Sequence, residues 1–383
     1  PRHDGSSRLS TRLSTRGRLK ARTKLRSDDG TTYEVGALLG QGGFGTAYSG
    51  HRLSRNGRRT RRVCIKVCRD RSDWHGEAFF GQLLNSDPRV VKLLDAFVAS
   101  TGQGSRQVRR HVLIFEFMDG GTVWAGLDDG MRPWTERKVR TETKALLKVL
   151  ARLHNAGVTH RDLKPDNVYL RDGRLVLGDF GTTKMTMDPS HSFVSVFAPD
   201  FAPSNVLQSF RWGQADDVYQ VGLLAATLLS GEIWWTDSVS VRSISALPAT
   251  DEFKCWIWHA TGARAKRYWD ATDAVHALDS LKTISLAPSR APRSLAGHSV
   301  VFTGRLDGMT RSDAATLAKG AGATAQAGVS DATSLVVLGR ARAGGIGSSE
   351  GLKLFAVRER RRLGQDIRII RQAQFERLAA ISR

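Results

Sequence analysis

Residues 38–50 read LLGQGGFGTAYSG, with Gly40, Gly42 and Gly45 in G-x-G-x-x-G spacing between two β-like runs. That context limits the fold. A glycine-rich turn leading from a strand into a helix cradles a dinucleotide pyrophosphate, whereas one joining strand to strand makes a flap. The chain is steered away from a Rossmann domain and towards a hairpin whose backbone can close over phosphates. Alone the spacing is weak, because glycine clusters often mark only a turn.

Three further segments add to it. In RRVCIKVCR, Lys66 sits in a β-branched strand, about twenty residues after the glycines and within reach of α- and β-phosphates. An isolated strand lysine is usually a solvated edge residue. In THRDLKPDNVYL, Asp162 can accept the proton of an attacking hydroxyl, and Lys164 can neutralise charge on a transferred phosphoryl group. Asn167 can hold a metal through its amide oxygen. In LVLGDFGTTK, Asp179 offers a hard carboxylate for Mg²⁺ at the end of a strand.

In this order and at these spacings the four segments resemble the eukaryotic-type (Hanks-type) Ser/Thr protein kinase family, over about Tyr33 to Leu281. The resemblance implies a bilobal α+β fold, ATP as phosphoryl donor, Mg²⁺ on Asn167 and Asp179, and Asp162 and Lys164 as catalytic residues. It implies that Glu77, in HGEAFFGQLLNSDPRVVKLL, pairs with Lys66. It makes Gly40, Gly42, Gly45, Lys66, Glu116 and Met118 contacts to ATP, with Phe115 as gatekeeper and Glu116–Met118 as hinge. Cys64 shares the strand face of Lys66 and lines the adenine pocket or serves as a small apolar filler. Asp217 matches an acid that props the catalytic loop, and Arg267 a late arginine. Lysine two residues after the catalytic Asp is the Ser/Thr pattern. Arg161 is the expected receiver for a phosphate on the activation loop, whose hydroxyls are Thr182, Thr183, Thr186, Ser190, Ser192 and Ser195.

Two positions depart from the pattern. Ala202-Pro203-Ser204 stands where the family has Ala-Pro-Glu, so Arg267 loses its usual partner. A buried arginine left unpaired is costly, so another acid should replace it, or the lobe is looser. Phe197 stands where such kinases carry a threonine, with Ser195 as a substitute if the loop is shifted.

A composition break with two prolines, SLAPSRAPRSLA, follows. Beyond it GHSVVFTGRLDG, a helix from Arg311 capped by Thr310 and Asp313, SLVVLG, a helix near Gly351–Arg362, IRII and FERLAA give the order βαββαβα. Together they resemble a BRCT domain of the kind fused to bacterial DNA ligases, a small parallel sheet flanked by helices. The resemblance implies a phosphate site at Thr303 and Gly304. Lys353 is its cation, offset by about one residue, with Leu352 the alternative alignment. A strand-end turn and a solvated helix lysine would look the same.

The domains expected are a basic disordered tail at 1–29, a kinase domain at 30–283, a linker at 284–296 and a BRCT domain at 297–381. The formal charge is +21, and 44 of the 58 basic residues are arginine, clustered at Arg8–Arg26, Arg52–Arg62, Arg106–Arg110 and Arg358–Arg371. Such patches suit phosphate-rich partners or simply a solubilising surface. Three cysteines are too few and wrongly spaced for a disulfide framework or zinc site. No apolar segment of signal-peptide kind opens the chain, so a cytoplasmic setting without membrane contact is expected. The function expected is transfer of the ATP γ-phosphoryl group to protein Ser/Thr hydroxyls, with the BRCT module directing the kinase to DNA or a phosphorylated partner. The alternatives are a pseudokinase scaffold and a small-molecule kinase of the aminoglycoside type.

Overall fold

A computed structural model describes residues 18–102, 107–185, 192–193, 197–281, 286–340, 352–362 and 364–381. In chain order it contains β1 (Lys24–Arg26), β2 (Thr32–Gly42), β3 (Gly45–Leu53), β4 (Arg59–Cys68), α1 (Arg71–Leu83), β5 (Leu93–Thr101), β6 (Val108–Glu116), α2 (Val123–Asp128), α3 (Glu136–Asn155) and β7 (Val158–Thr159). There follow β8 (Val168–Arg171), β9 (Arg174–Leu177), β10 (Lys184–Met185), β11 (Ser192–Phe193), α4 (Ser204–Ser209), β12 (Arg211–Trp212), α5 (Gln214–Ser230), α6 (Val241–Ser245), α7 (Asp251–Thr261) and α8 (Ala271–Asp279). The last part holds β13 (Ser299–Thr303), α9 (Arg311–Gly320), β14 (Thr324–Gln326), β15 (Leu335–Leu338), α10 (Leu352–Arg362), β16 (Arg368–Arg371) and α11 (Gln372–Ile381). These elements form two compact units. One runs to Val123 and includes Asp166–Lys184; the other comprises Trp124–Pro165 and everything from Met185 on.

The first unit is built on a six-stranded sheet in the order β1-β2-β3-β4-β6-β5. Because side chains alternate across a strand, β4 buries Val63, Ile65 and Val67 on one face with Tyr33, Tyr48, Phe97 and Ile114. The opposite face carries Cys64, Lys66 and Cys68; Cys64 and Cys68 pack there with Leu93, Leu113, Phe115 and Met118. Helix α1 starts where the Asp70 carboxylate accepts from the Asp73 N–H at 2.8 Å. The tail expected over 1–29 is corrected at its carboxyl end. Lys24–Arg26 pair antiparallel with β2, and Leu25 is buried in the sheet core; one apolar residue among charged ones sufficed to fix a three-residue edge strand. Residues 1–17 lie outside the described residues.

In the second unit, α3 buries Val139, Leu146, Leu147, Leu150 and Leu153 along one stripe. Every residue of α5 from Ala215 to Leu229 is buried, so the apolar run there is a core helix. Among the described residues no helix is long and apolar enough to cross a membrane. The carboxyl-terminal module has a parallel sheet, β14-β13-β15-β16. Val300 and Phe302 face one core and Val301 the other, so the sheet is covered on both sides. The linker expected at 284–296 is not free over its described part. Leu286 packs on one module core, Leu295 is buried in the other, and Ser289 exchanges hydrogen bonds with Ile369.

Candidate active site

In the first unit, the Lys66 ammonium lies 2.8 Å from Glu77 Oε1 and 3.0 Å from Asp179 Oδ1. Glu77 is buried on α1, and burial pushes its carboxyl up to about 7, which Lys66 only partly offsets. For Lys66 itself burial works against the charge, but Asp179 and Glu77 together outweigh it and raise its pKa. The second Glu77 oxygen makes no hydrogen bond among the described residues. Asp179 has φ +55° and accepts from the Gly181 N–H at 3.2 Å. This turn aims its carboxylate at Lys66 and leaves it partly exposed.

The glycine segment is the β2–β3 hairpin. A Cβ added at Gly40 or Gly42 would meet nothing, whereas one at Gly45, with φ +156°, would collide with the Val67 carbonyl. Gly45 is thus required by contact with β4, and Gly40 and Gly42 keep the tip open. At the expected hinge, Glu116 N–H donates to Lys92 O at 2.9 Å, and Met118 is buried with Phe115. No hydrogen bond among the described residues uses the Met118 N–H. The Glu116 carboxylate is taken by Arg171 and by the Lys92 N–H. Cys64 packs against the same apolar cluster, and burial pushes its thiol up to about 12. Asn167 is buried immediately before β8, and its carbonyl accepts from Gly178 N–H at 3.0 Å. Its amide and the Asp179 carboxylate are oxygen donors of the kind Mg²⁺ takes alongside phosphates. Among the described residues no group of three or more His, Cys, Asp or Glu could hold a metal by itself. Thr182 and Thr183 are buried, so their hydroxyls are closed to modification in this conformation. Thr186, Ser190 and Ser195 lie outside the described residues, as does the side chain of Ser192.

In the second unit, Lys164 Nζ lies 3.1 Å from the Asp162 carboxylate. The loop that carries them is held from below by Asp217, which has no exposed surface. Asp217 accepts from His160 N–H at 2.8 Å, Arg161 N–H at 2.9 Å and Trp212 Nε1–H at 2.9 Å, and lies 2.9 Å from His154 Nε2. Burial alone would raise its pKa, but His154 and the other donors hold it below the usual carboxylate range. Gln220 Oε1 accepts from Leu163 N–H at 2.8 Å. These bonds over-determine the left-handed backbone of Arg161, φ +74°. The Arg161 side chain is buried, and its Nε–H donates to Thr159 Oγ1 at 2.9 Å.

Arg267 finds its replacement acid. Its Nη1 lies 2.6 Å from Asp216 Oδ1, and its Nη2 donates to Asn205 Oδ1 at 3.1 Å. Arg264 pairs with the other Asp216 oxygen at 2.9 Å. The signal was present in the doubled acid Asp216-Asp217, but the resemblance gave a role only to the second. Phe197 packs its ring against Phe210 and Trp212, both at 6.3 Å between centroids, and lies half-buried against a small apolar cluster where the family carries a threonine.

In the module, Gly304 has φ +79°, and a Cβ there would come 2.8 Å from the Arg340 carbonyl oxygen. Thr303 is buried at the end of β13. Lys353 Nζ donates to Phe302 O at 2.9 Å, which brings the cation to the same strand end. Arg311, unassigned by the sequence reading, donates to Gly304 O at 3.3 Å. Burial first, then Arg311, lowers the Lys353 pKa.

The protein kinase domain family model matches residues 33–266. The chain belongs to the protein kinase family. A second family model, the BRCA1 C Terminus (BRCT) domain, matches residues 291–361, so this kinase carries a BRCT domain. The kinase is 33% identical over 213 residues to the serine/threonine-protein kinase PknL of Mycobacterium tuberculosis, covering 53% of this chain and 50% of the relative. It is 30% identical over 211 residues to the serine/threonine-protein kinase Pkn1 of Myxococcus xanthus, 52% of this chain and 29% of the relative. A calcium-dependent protein kinase of Glycine max, SK5, shares 29% over 216 residues, 54% of this chain and 40% of the relative. The chain spans half or less of the length of these curated relatives.

Proposed function

We propose that this protein is an ATP-dependent Ser/Thr protein kinase whose BRCT module binds a phosphorylated partner, a DNA end or another protein surface. The observation that carries the catalytic reading is the Lys66 ammonium held by both Glu77 and Asp179. A strand lysine kept only for structure needs neither a buried acid from a helix nor a carboxylate in a left-handed turn. In this reading Lys66 binds the α- and β-phosphates, and Gly40, Gly42 and Gly45 cover them. The Met118 N–H meets the adenine edge. Asn167 and Asp179 would hold Mg²⁺, which neutralises charge on the phosphates when bound. Asp162 orients the attacking hydroxyl and takes its proton, and Lys164 offsets charge on the moving phosphoryl group. The setting proposed is cytoplasmic, and the substrate a protein hydroxyl.

The test is incubation of the whole chain with γ-labelled ATP, with and without a generic protein acceptor, in Mg²⁺ and in chelator. Metal-dependent label on protein is the expected outcome. ATP binding without label transfer would favour a scaffold, and label on an aminoglycoside but not on protein would favour a small-molecule kinase.

In the BRCT module, Thr303 and the Gly304 N–H would meet a phosphate, with Lys353 as its counter-charge. The support is that Lys353 reaches the carbonyl next to Thr303, which offsets its one-residue displacement in sequence.

A further inference from the structure

Helix α10 of the BRCT module does more than cover its own sheet. Val357 is buried in a module core, but its neighbours turn the other way. Phe355, almost fully buried, meets Trp258 of α7 edge to face, with centroids 6.4 Å apart and planes at 84°. Arg358 places Nη2 at 3.4 Å from Asp251 Oδ2 and Nη1 at 3.4 Å from Glu252 Oε1, both on the first turn of α7. Its side chain is only 9% exposed. A desolvated guanidinium between two carboxylates is not the solvated basic surface that the Arg358–Arg371 cluster suggested. Removing Arg358 would take a desolvated counter-charge from both carboxylates, leaving Lys254 at 3.7 Å from Asp251.

The connection between the two domains is also short. Leu281 ends the described part of the kinase lobe, and Leu286 already packs on the module core. Five Cα steps span roughly 18 Å at most. So short a tether keeps the module at high effective concentration beside its own lobe and disfavours a partner in another chain.

We propose that the BRCT module is docked in cis on the kinase lobe through α10, with Arg358 as the latch between Asp251 and Glu252. The same helix carries Lys353 on its first turn, so docking also fixes where the Thr303 strand end faces relative to the lobe. The module is then a fixed arm of the kinase, and a ligand at that strand end is presented in one orientation.

Hydrogen exchange on the full chain tests this. In Arg358→Glu, amides of residues 251–261 and 352–362 should exchange about tenfold faster or more, while those of α5 stay protected. Adding Asp251→Arg and Glu252→Arg to that variant should restore protection. Asp251→Asn with Glu252→Gln leaves the module untouched, and it decides the matter should Arg358→Glu loosen the whole module: local loosening supports docking. Unchanged exchange in both segments would overturn it. So would a dimer, seen by light scattering, that dissociates in Arg358→Glu, because the latch would then join two chains.

Discussion

Asp162 and Asp217 are both buried carboxylates near one loop, yet they should fail in different ways. Asp162 contacts Lys164 and is proposed to act on the substrate hydroxyl. Asp162→Asn should lower turnover by about 10²–10⁴ while ATP affinity, measured by calorimetry, stays near that of the parent. Asp217 contacts only the loop and its supports, so Asp217→Asn should lower stability first. Losing the anion beneath His154, His160, Arg161 and Trp212 should cost about 3–5 kcal/mol near neutral pH. The sign follows from the pKa. Asp217 titrates lower in the folded protein than its unfolded value of 3.8, so its contribution is complete above that value and fades as pH falls through the folded one. Urea melts should therefore show the two proteins furthest apart near neutrality and converging in acid below 3.8. A constant gap at every pH would mean that the charge of Asp217 is not what the loop uses.

At the scale of elements, β1 offers the sharpest contrast between sequence and structure. Its single core residue, Leu25, sits in a run of basic and hydroxyl residues that reads as a charged tail. What orders it is pairing with β2 and the pocket formed by Tyr33 and Phe97, both supplied from elsewhere in the chain. Leu25→Ala should destabilise the first unit by about 2 kcal/mol or more, whereas Lys24→Ala, on the exposed face, should fall within about 0.5 kcal/mol of the parent. The elements that were legible carry local marks. The hairpin has its glycines, α9 its Thr310–Asp313 cap, α5 its apolar run, and each mark acts within one element. The pairing of Lys66 with Glu77 could be expected from sequence because phosphoryl transfer restricts both residue type and spacing. The Asp216–Arg267 pair was not, since it joins residues 51 apart and any nearby acid would serve equally well. The packing of residues 286–296 was hidden by composition: proline and small residues suit a free linker as well as a strap laid on a core.

At the scale of the whole molecule, charge has to be sorted into pocket and surface. If Thr303, Gly304 and Lys353 form a phosphate pocket, Thr303→Val or Lys353→Gln should weaken a phosphopeptide or 5′-phosphorylated DNA selectively. Neutralising Arg368 and Arg371 should weaken every anionic ligand alike and flatten the salt dependence. Fluorescence anisotropy on the full chain at two salt concentrations distinguishes the two, and equal affinity for phosphorylated and unphosphorylated ligands would refute the pocket. The seam at α7 has a practical consequence for how such a kinase is prepared. A fragment ending after Leu281 would include all of residues 33–266 and the residues proposed to act in phosphoryl transfer. It would also uncover Trp258 and leave Asp251 and Glu252 without Arg358. Such a fragment should be stickier and less soluble than the parent, and any recruitment it shows through that bared face would be an artefact of truncation.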